Sequence, residues 1–294
     1  NMEVLKKVSK VELVMQLQKA LNISVDGIFG NDTEVAVKKF QQDNGLVADG
    51  VVGKQTLNML SSKNLDSDLT SVVIPKLDIE NYYLNKNQYL TGKYSNDYIV
   101  LHHTAGHDNP KQVVDCWNTD ALGKVATEYV LGGLNSVNGR STYDGKIIRT
   151  YPEGCQGYHI GKSGSSYMNT HSVGIEICNI GWAKNGKSYV GSVIQPNQIV
   201  TLKEPFRGYT QWQRYTDKQI ESLKQLLLYI ANRDNIDLHT GLYQWIKKEG
   251  AKAFEFKEDA YYGKVKGMVT HGNIRKDKFD LFPQPEMMDM ILSL

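Results

Sequence analysis

Two histidines at the end of an apolar run, Tyr98-Ile-Val-Leu-His-His-Thr-Ala-Gly106, carry the first chemistry that this sequence offers. Imidazole binds metal ions as the neutral base and moves protons near neutral pH. A β-branched run that gives way to small and polar residues reads as a buried strand delivering such groups to the mouth of a cleft. Side chains alternate along a strand, so one of the two faces the cleft and the other faces away, though alternation does not say which. Partners lie downstream in Tyr158-His159, in Ser172-Val-Gly-Ile-Glu176, and in Thr270-His271 followed by Lys278-Phe-Asp280. Glu176 closes an apolar run, where a carboxylate without a task is costly to bury. Its bland alternative is a structural ion pair.

Two separated histidine sites and a late carboxylate match the donors of a catalytic zinc ion, which takes three protein ligands and leaves a fourth position for water. Asp280 stands too far beyond His271 for both to share a helical face, so a loop must bring it back. On spacing alone the triad of His102 or His103, His271 and Asp280 is one choice among several.

These residues need elements to hold them. Strands are expected at Tyr98–Leu101, Tyr129–Leu131, Lys146–Thr150 after the Asp144-Gly145 turn, and Ser172–Ile177. Helices are expected over Lys111–Asp120, with Pro110 in the first turn, and over Asp217–Asn232, where Ile220, Leu223, Leu226, Leu227 and Ile230 share one face. Such mixing argues an α/β domain, a central mixed sheet flanked by helices. Gly132–Ser141 reads as a loop. Trp182–Trp212 reads as a long loop whose aromatic residues either pack as satellite core or grip sugar faces.

The first 60 residues repeat themselves. Val25-Asp-Gly-Ile-Phe-Gly30 precedes one helical pattern and Ala48-Asp-Gly-Val-Val-Gly53 a second, after a first helix marked by Leu13, Leu17, Ala20 and Leu21. This predicts a small three-helix all-α module over 1–62, a polar linker over 63–76, and the α/β domain over 77–294. Leu17-Gln18, Asp26-Gly-Ile-Phe-Gly30, Phe40-Gln41, Gly45-Leu46 and Asp49-Gly-Val-Val-Gly53 resemble the peptidoglycan-binding type 1 domain. The resemblance implies a substrate-binding role for Asp26, Gly27, Phe29, Gly30, Asp49, Gly50 and Gly53; the residues themselves show turn chemistry.

Across roughly residues 95 to 290, Ile99-Val-Leu-His-His-Thr-Ala-Gly106, Tyr158-His-Ile-Gly161, Asn169, Ser172-Val-Gly-Ile-Glu176 and Thr270-His271-Gly with Lys278-Phe-Asp280 resemble, in order, the type 2 N-acetylmuramoyl-L-alanine amidases. That resemblance implies zinc (Zn2+) held by His102, His271 and Asp280, with His103 behind the site. It implies Glu176 as the proton acceptor, Lys278 at the developing oxyanion, His159 beside the substrate carbonyl, and Asn169 among the substrate-binding residues. There are departures. Leu281 follows Asp280 where many relatives carry proline, Lys276 competes with Lys278 for the lysine role, and Glu128 stands where relatives often carry histidine or asparagine. Glu128 is expected to be a surface or cleft-rim carboxylate. His107, His171 and His239 are expected to be ordinary polar residues.

The implied function is hydrolysis of the amide between N-acetylmuramic acid and L-alanine in bacterial peptidoglycan, with the N-terminal module as anchor. The rival readings are a non-catalytic peptidoglycan-recognition protein, a metallopeptidase cutting within the stem peptide, and, on origin, a bacterial autolysin rather than a phage endolysin. A formal net charge of +2 gives no ground for a nucleic-acid partner. No apolar run reaches the roughly 18 residues that suggest a membrane span. No apolar leader is visible at the N-terminus, so synthesis in a host cytoplasm followed by release to the wall is expected, as is a monomer. Cys116, Cys155 and Cys178 form no CxxC pair and are expected to be reduced, buried thiols.

Overall fold

The computed structural model describes residues 10–50, 52, 54–62, 77–106, 108–119 and 123–294, and the chain divides into two compact units, 1–76 and 77–294. The expected linker, Gly53 and His107 fall outside the described residues.

In the first unit, helices α1 (Lys10–Ala20), α2 (Asn31–Asp43) and α3 (Lys54–Ser62) close over Leu17, Ala20, Val37 and Leu60. The repeat in the sequence is a repeat of hydrogen bonds. Gln18 Nε2 donates to Asp26 Oδ1 at 2.7 Å and to Thr33 Oγ1 at 3.0 Å, while its Oε1 accepts from Gly27 N at 2.9 Å. Gln41 does the same with Asp49 Oδ1 at 2.7 Å, Thr56 Oγ1 at 3.1 Å and Gly50 N at 2.9 Å. Gly27 and Gly50 hold φ of +72° and +79°, the left-handed region that glycine enters without a Cβ clash. Buried glutamines are costly unless satisfied, so each turn exists to saturate one.

The second unit is built on a six-stranded mixed sheet. Its strands are β1 (Ile79–Asn81), β2 (Tyr98–His103), β3 (Tyr129–Leu131), β4 (Ile147–Arg149), β5 (Ser172–Ile177) and β10 (Gly267–Thr270), in the order β1-β4-β3-β5-β2-β10. Every neighbouring pair is parallel except β3 with β4. All six residues of β2 are buried, as expected for a strand covered on both faces. Ile99, Leu101, Val173 and Ile175 face a core shared with helices α6 (Asp217–Asp234), α7 (Leu242–Glu249) and α10 (Pro285–Leu292). The opposite face carries Tyr98, Val100 and Val130. These pack under α4 (Pro110–Thr119), α5 (Ser166–Thr170), α8 (Glu258–Tyr261) and α9 (His271–Ile274). Each such aliphatic side chain contributes about 1.5–3 kcal/mol when taken from water.

The Trp182–Trp212 stretch is not a loop. It forms a second, antiparallel sheet from β6 (Trp182–Lys184), β7 (Lys187–Ser188), β8 (Ile199–Phe206) and β9 (Tyr209–Gln213), ordered β7-β6-β9-β8. Two-residue turns at Asn185-Gly186 and Arg207-Gly208 and a register shift between Thr201 and Phe206 break its alternation, which hides the strands from a period-two reading. Most of its aromatics pack inward: Trp212 and Phe206 are buried, and Trp182 stacks on Tyr209 at 4.0 Å, whereas Tyr189 is exposed.

Two further expectations change. Glu128 is not at a rim; it is 2% exposed and ion-paired with Arg233, from the last turn of α6, whose Nη2 lies 3.1 Å from Glu128 Oε2. Cys116 is exposed and Cys155 half-buried, so of the three thiols only Cys178 is buried. No helix among the described residues is long and apolar enough to cross a membrane.

Candidate active site

Strand register assembles the cluster. In the parallel pair of β2 and β5, His102 stands opposite Glu176, and in that of β10 and β2, Thr270 stands opposite Leu101. His271, the next residue, therefore arrives level with His102. Thr270 stops β10 there by a capping box: its Oγ1 accepts from Asn273 N at 3.1 Å while Asn273 Oδ1 accepts from Thr270 N at 2.9 Å. The chain then loops until Gly272 N donates to Asp280 O at 3.2 Å, which returns the carboxylate to the histidines. One ligand atom each from His102, His271 and Asp280 fits within 4.8 Å of the others, and all three residues are buried.

Tautomers follow from the surrounding hydrogen bonds. Ser172 Oγ donates to Met168 O at 2.7 Å, so it accepts from His159 Nε2 at 3.0 Å. His159 Nδ1 then accepts from His102 Nε2 at 3.0 Å, which leaves His102 Nδ1 without a proton. His271 Nε2 donates to Ile160 O at 3.1 Å, leaving its Nδ1 bare as well. The two bare nitrogens lie 3.0 Å apart, and Asp280 Oδ2 is 3.3 Å from the first and 3.0 Å from the second. Three lone-pair atoms aimed at one another repel, and a cation among them removes the conflict. The donor set fits a divalent zinc-type ion.

Burial tunes the groups around it. It brings the His102 imidazole down to about 4, with His271 adding to the effect, so the ring stays neutral as a ligand must. His159 is held well below the ordinary histidine range by burial and then by His102. The Glu176 carboxyl is pushed well above the usual carboxylate range by burial and then by the charge of Asp280. Glu176 Oε2 has no hydrogen-bond partner and lies 4.0 Å from His102 Nδ1. A buried acceptor left open beside a metal-type cluster is where a reacting water or amide would find it.

His103 takes the other face of β2. Its Nδ1 meets the Tyr215 hydroxyl at 2.8 Å among Trp212 and Phe282. Lys278 bears electrostatically on both His102 and Glu176, whereas the Lys276 ammonium sits over the Phe256 ring at 4.7 Å. His159, expected beside the substrate carbonyl, is buried with both nitrogens engaged, which leaves neither for substrate. Asn169 lies half-buried on α5 and makes none of the bonds that tie the cluster. In the first unit, Asp26, Gly27, Asp49 and Gly50 are consumed by the glutamine turns, Gly30 precedes α2, and Phe29 is exposed. His171 stacks on Tyr167 and His239 touches Tyr243, both away from the cluster.

Sequence reasoning missed Gly174. A Cβ there would come within 2.8 Å of the His159 ring and 2.7 Å of the Thr127 methyl, so the ring has its place against the strand only because no side chain is present. An isolated glycine inside an apolar strand run is the available signal. Two grooves open in the second unit, neither lined by a residue of the cluster. One, of about 440 Å³, is lined by Thr104, Trp117, Cys178 and Tyr189; the other, of about 630 Å³, is lined by Lys162, Tyr261, Ile274 and Arg275.

The profile of the N-acetylmuramoyl-L-alanine amidases matches residues 92–277. The chain belongs to that amidase family. A peptidoglycan binding domain profile matches residues 10–60. The amidase therefore hydrolyses peptidoglycan, at the amide that joins N-acetylmuramic acid to L-alanine. The match ends before Lys278 and Asp280; Asp280 lies with the two histidines, and Lys278 bears on the cluster electrostatically. Among solved structures, the amidase is similar to PlyL at 14% identity, over 69% of this chain and 86% of that one, with a TM-score of 0.40. It is similar to the N-acetylmuramoyl-L-alanine amidase LysC from Clostridium intestinale at 15% identity, over 74% and 95% of the two chains, with a TM-score of 0.39. For AmiD from E. coli, in complex with anhydro-N-acetylmuramic acid-L-Ala-D-gamma-Glu-L-Lys, the identity is 22% over 51% and 48%, with a TM-score of 0.33. At these scores the likenesses add nothing to the family assignment.

Proposed function

We propose that the amidase is zinc-dependent, with His102 Nδ1, His271 Nδ1 and Asp280 as ligands, and that the N-terminal unit anchors it to the wall. The observation that carries this reading is the convergence of two unprotonated imidazole nitrogens and a carboxylate beside the unpartnered Glu176. Two neutral histidines and one carboxylate leave a net charge of about +1 around the ion, and when bound it polarises the amide carbonyl and acidifies water.

The chain's own groups do the rest. Glu176 Oε2, raised in basicity by burial, accepts a proton from the attacking water and passes it to the departing L-alanine amine. Lys278 places positive charge where the carbonyl oxygen becomes negative, a contact of a kind worth about 10²–10³ in rate. His159 acts as a positioning residue, fixing the His102 tautomer through Ser172.

Holding the first unit on an insoluble polymer raises the local concentration of the second. An amidase with a peptidoglycan-binding unit acts at the bacterial wall; release there as a phage endolysin and export as an autolysin both fit this site chemistry.

Mass spectrometry of digested wall tests the reading. Wild type should release stem peptides with a free L-alanine amine from intact glycan, and a chelator should suppress that release. Glu176→Gln should retain bound zinc and lose about 10²–10⁴ in turnover. Cuts between sugars or within the stem peptide, or release indifferent to chelator, would overturn it.

A further inference from the structure

Arg207 lies far in sequence from every residue of the cluster, at the tip of the β8–β9 hairpin. Its φ is +51°, and that of Gly208 is +86°, so the two form a tight turn of the type that asparagine and glycine fill without strain. An arginine in the left-handed region is a strained choice, and such outliers point to a task. Its side chain is only 14% exposed. Nη1 donates to Lys276 O at 2.8 Å and Nη2 to Gly272 O at 3.3 Å, while Nε lies 3.4 Å from Glu255 Oε2 without hydrogen-bond geometry. Both carbonyls belong to the segment that runs from His271 to Lys278 and Asp280. Gly272, whose carbonyl takes one of these bonds, gives its N–H to Asp280 O. The same hairpin touches Phe279 through Tyr209, with ring centroids 6.3 Å apart.

We infer that Arg207 is a positioning residue for the reaction: the inserted sheet clamps the loop that carries Lys278 and Asp280 and sets both against His102. A planar guanidinium bridges two carbonyls at fixed separation, which a lysine ammonium does not reproduce. This inference rests on the metal reading above.

The test uses Arg207→Asn, which relieves the turn while removing the guanidinium, beside Arg207→Lys, in the full chain. The readouts are melting temperature, zinc affinity of the metal-stripped protein by competition with a chromophoric chelator, and kcat and KM on soluble muropeptide. Arg207→Asn should melt at or above the wild-type temperature, bind zinc about 10–100-fold more weakly, and lose kcat with KM little changed. Arg207→Lys should restore only part of either. Wild-type zinc affinity and kcat in Arg207→Asn would overturn the inference, as would losses that appear only with a large fall in melting temperature. A parent chain that takes up no zinc would instead sink the metal reading itself.

Discussion

The division of labour between His102 and His103 shows what one residue step along a strand decides. His102 enters the cluster, and His103 enters an aromatic box with Tyr215, Trp212 and Phe282. Burial brings His103 down to about 4. The unfolded chain takes up a proton at an ordinary value of about 6.5. Between those values the unfolded state binds more protons than the folded one, so stability falls as pH drops through that window. For the metal-stripped chain, His103 alone should cost roughly 2 kcal/mol between pH 7 and pH 5. Denaturant melts at the two pH values should show His103→Phe losing about that much less than wild type. An unchanged pH dependence would mean that the ring titrates normally. The donor residues are legible in sequence as residue types, whereas the choice within the histidine pair is not. Periodicity fixes two opposed faces, and only packing of β2 against β10 and β5 says which face holds the cluster.

Among elements, those with long regular patterns are readable and those cut by turns are not. The helix expected over Asp217–Asn232 announces itself by its apolar face, and it runs to Asp234 behind a Thr216–Gln219 capping box. The second sheet is written in strands of two to eight residues with a bulge, so no window holds enough alternation. Glu128 was out of reach for a related reason: a carboxylate in strand context reads as exposed until the Arg233 partner, far along the chain, is known. In the first unit the glutamine turns make a sharper forecast. Gln41→Ala removes the acceptor of the buried Gly50 N–H and the amide that donates to Asp49 and Thr56, and should destabilise that unit by about 2–3 kcal/mol. Wall pull-down should weaken while turnover of a small soluble muropeptide stays at the wild-type level; equal pull-down would remove these turns from the anchoring account.

At the scale of the whole molecule, the site belongs to no single segment. β2 supplies His102, β5 supplies Glu176, the end of β10 supplies His271, and a loop supplies Lys278 and Asp280. Parallel register brings residues from three strands to one level, which is why an open sheet carries its chemistry at the carboxyl ends of its strands. Motif order in the sequence reveals the cast but not the stage, because the contacts of His159, Gly174 and Arg207 appear only once the sheet is assembled. The most direct test is zinc titration of the metal-stripped protein with a competing chelator, alongside His271→Ala. One ion per chain bound in wild type, and lost in His271→Ala with circular dichroism unchanged, is the expected result. No stoichiometric zinc in wild type, or equal zinc in the variant, would contradict the convergence of His102, His271 and Asp280 on a metal.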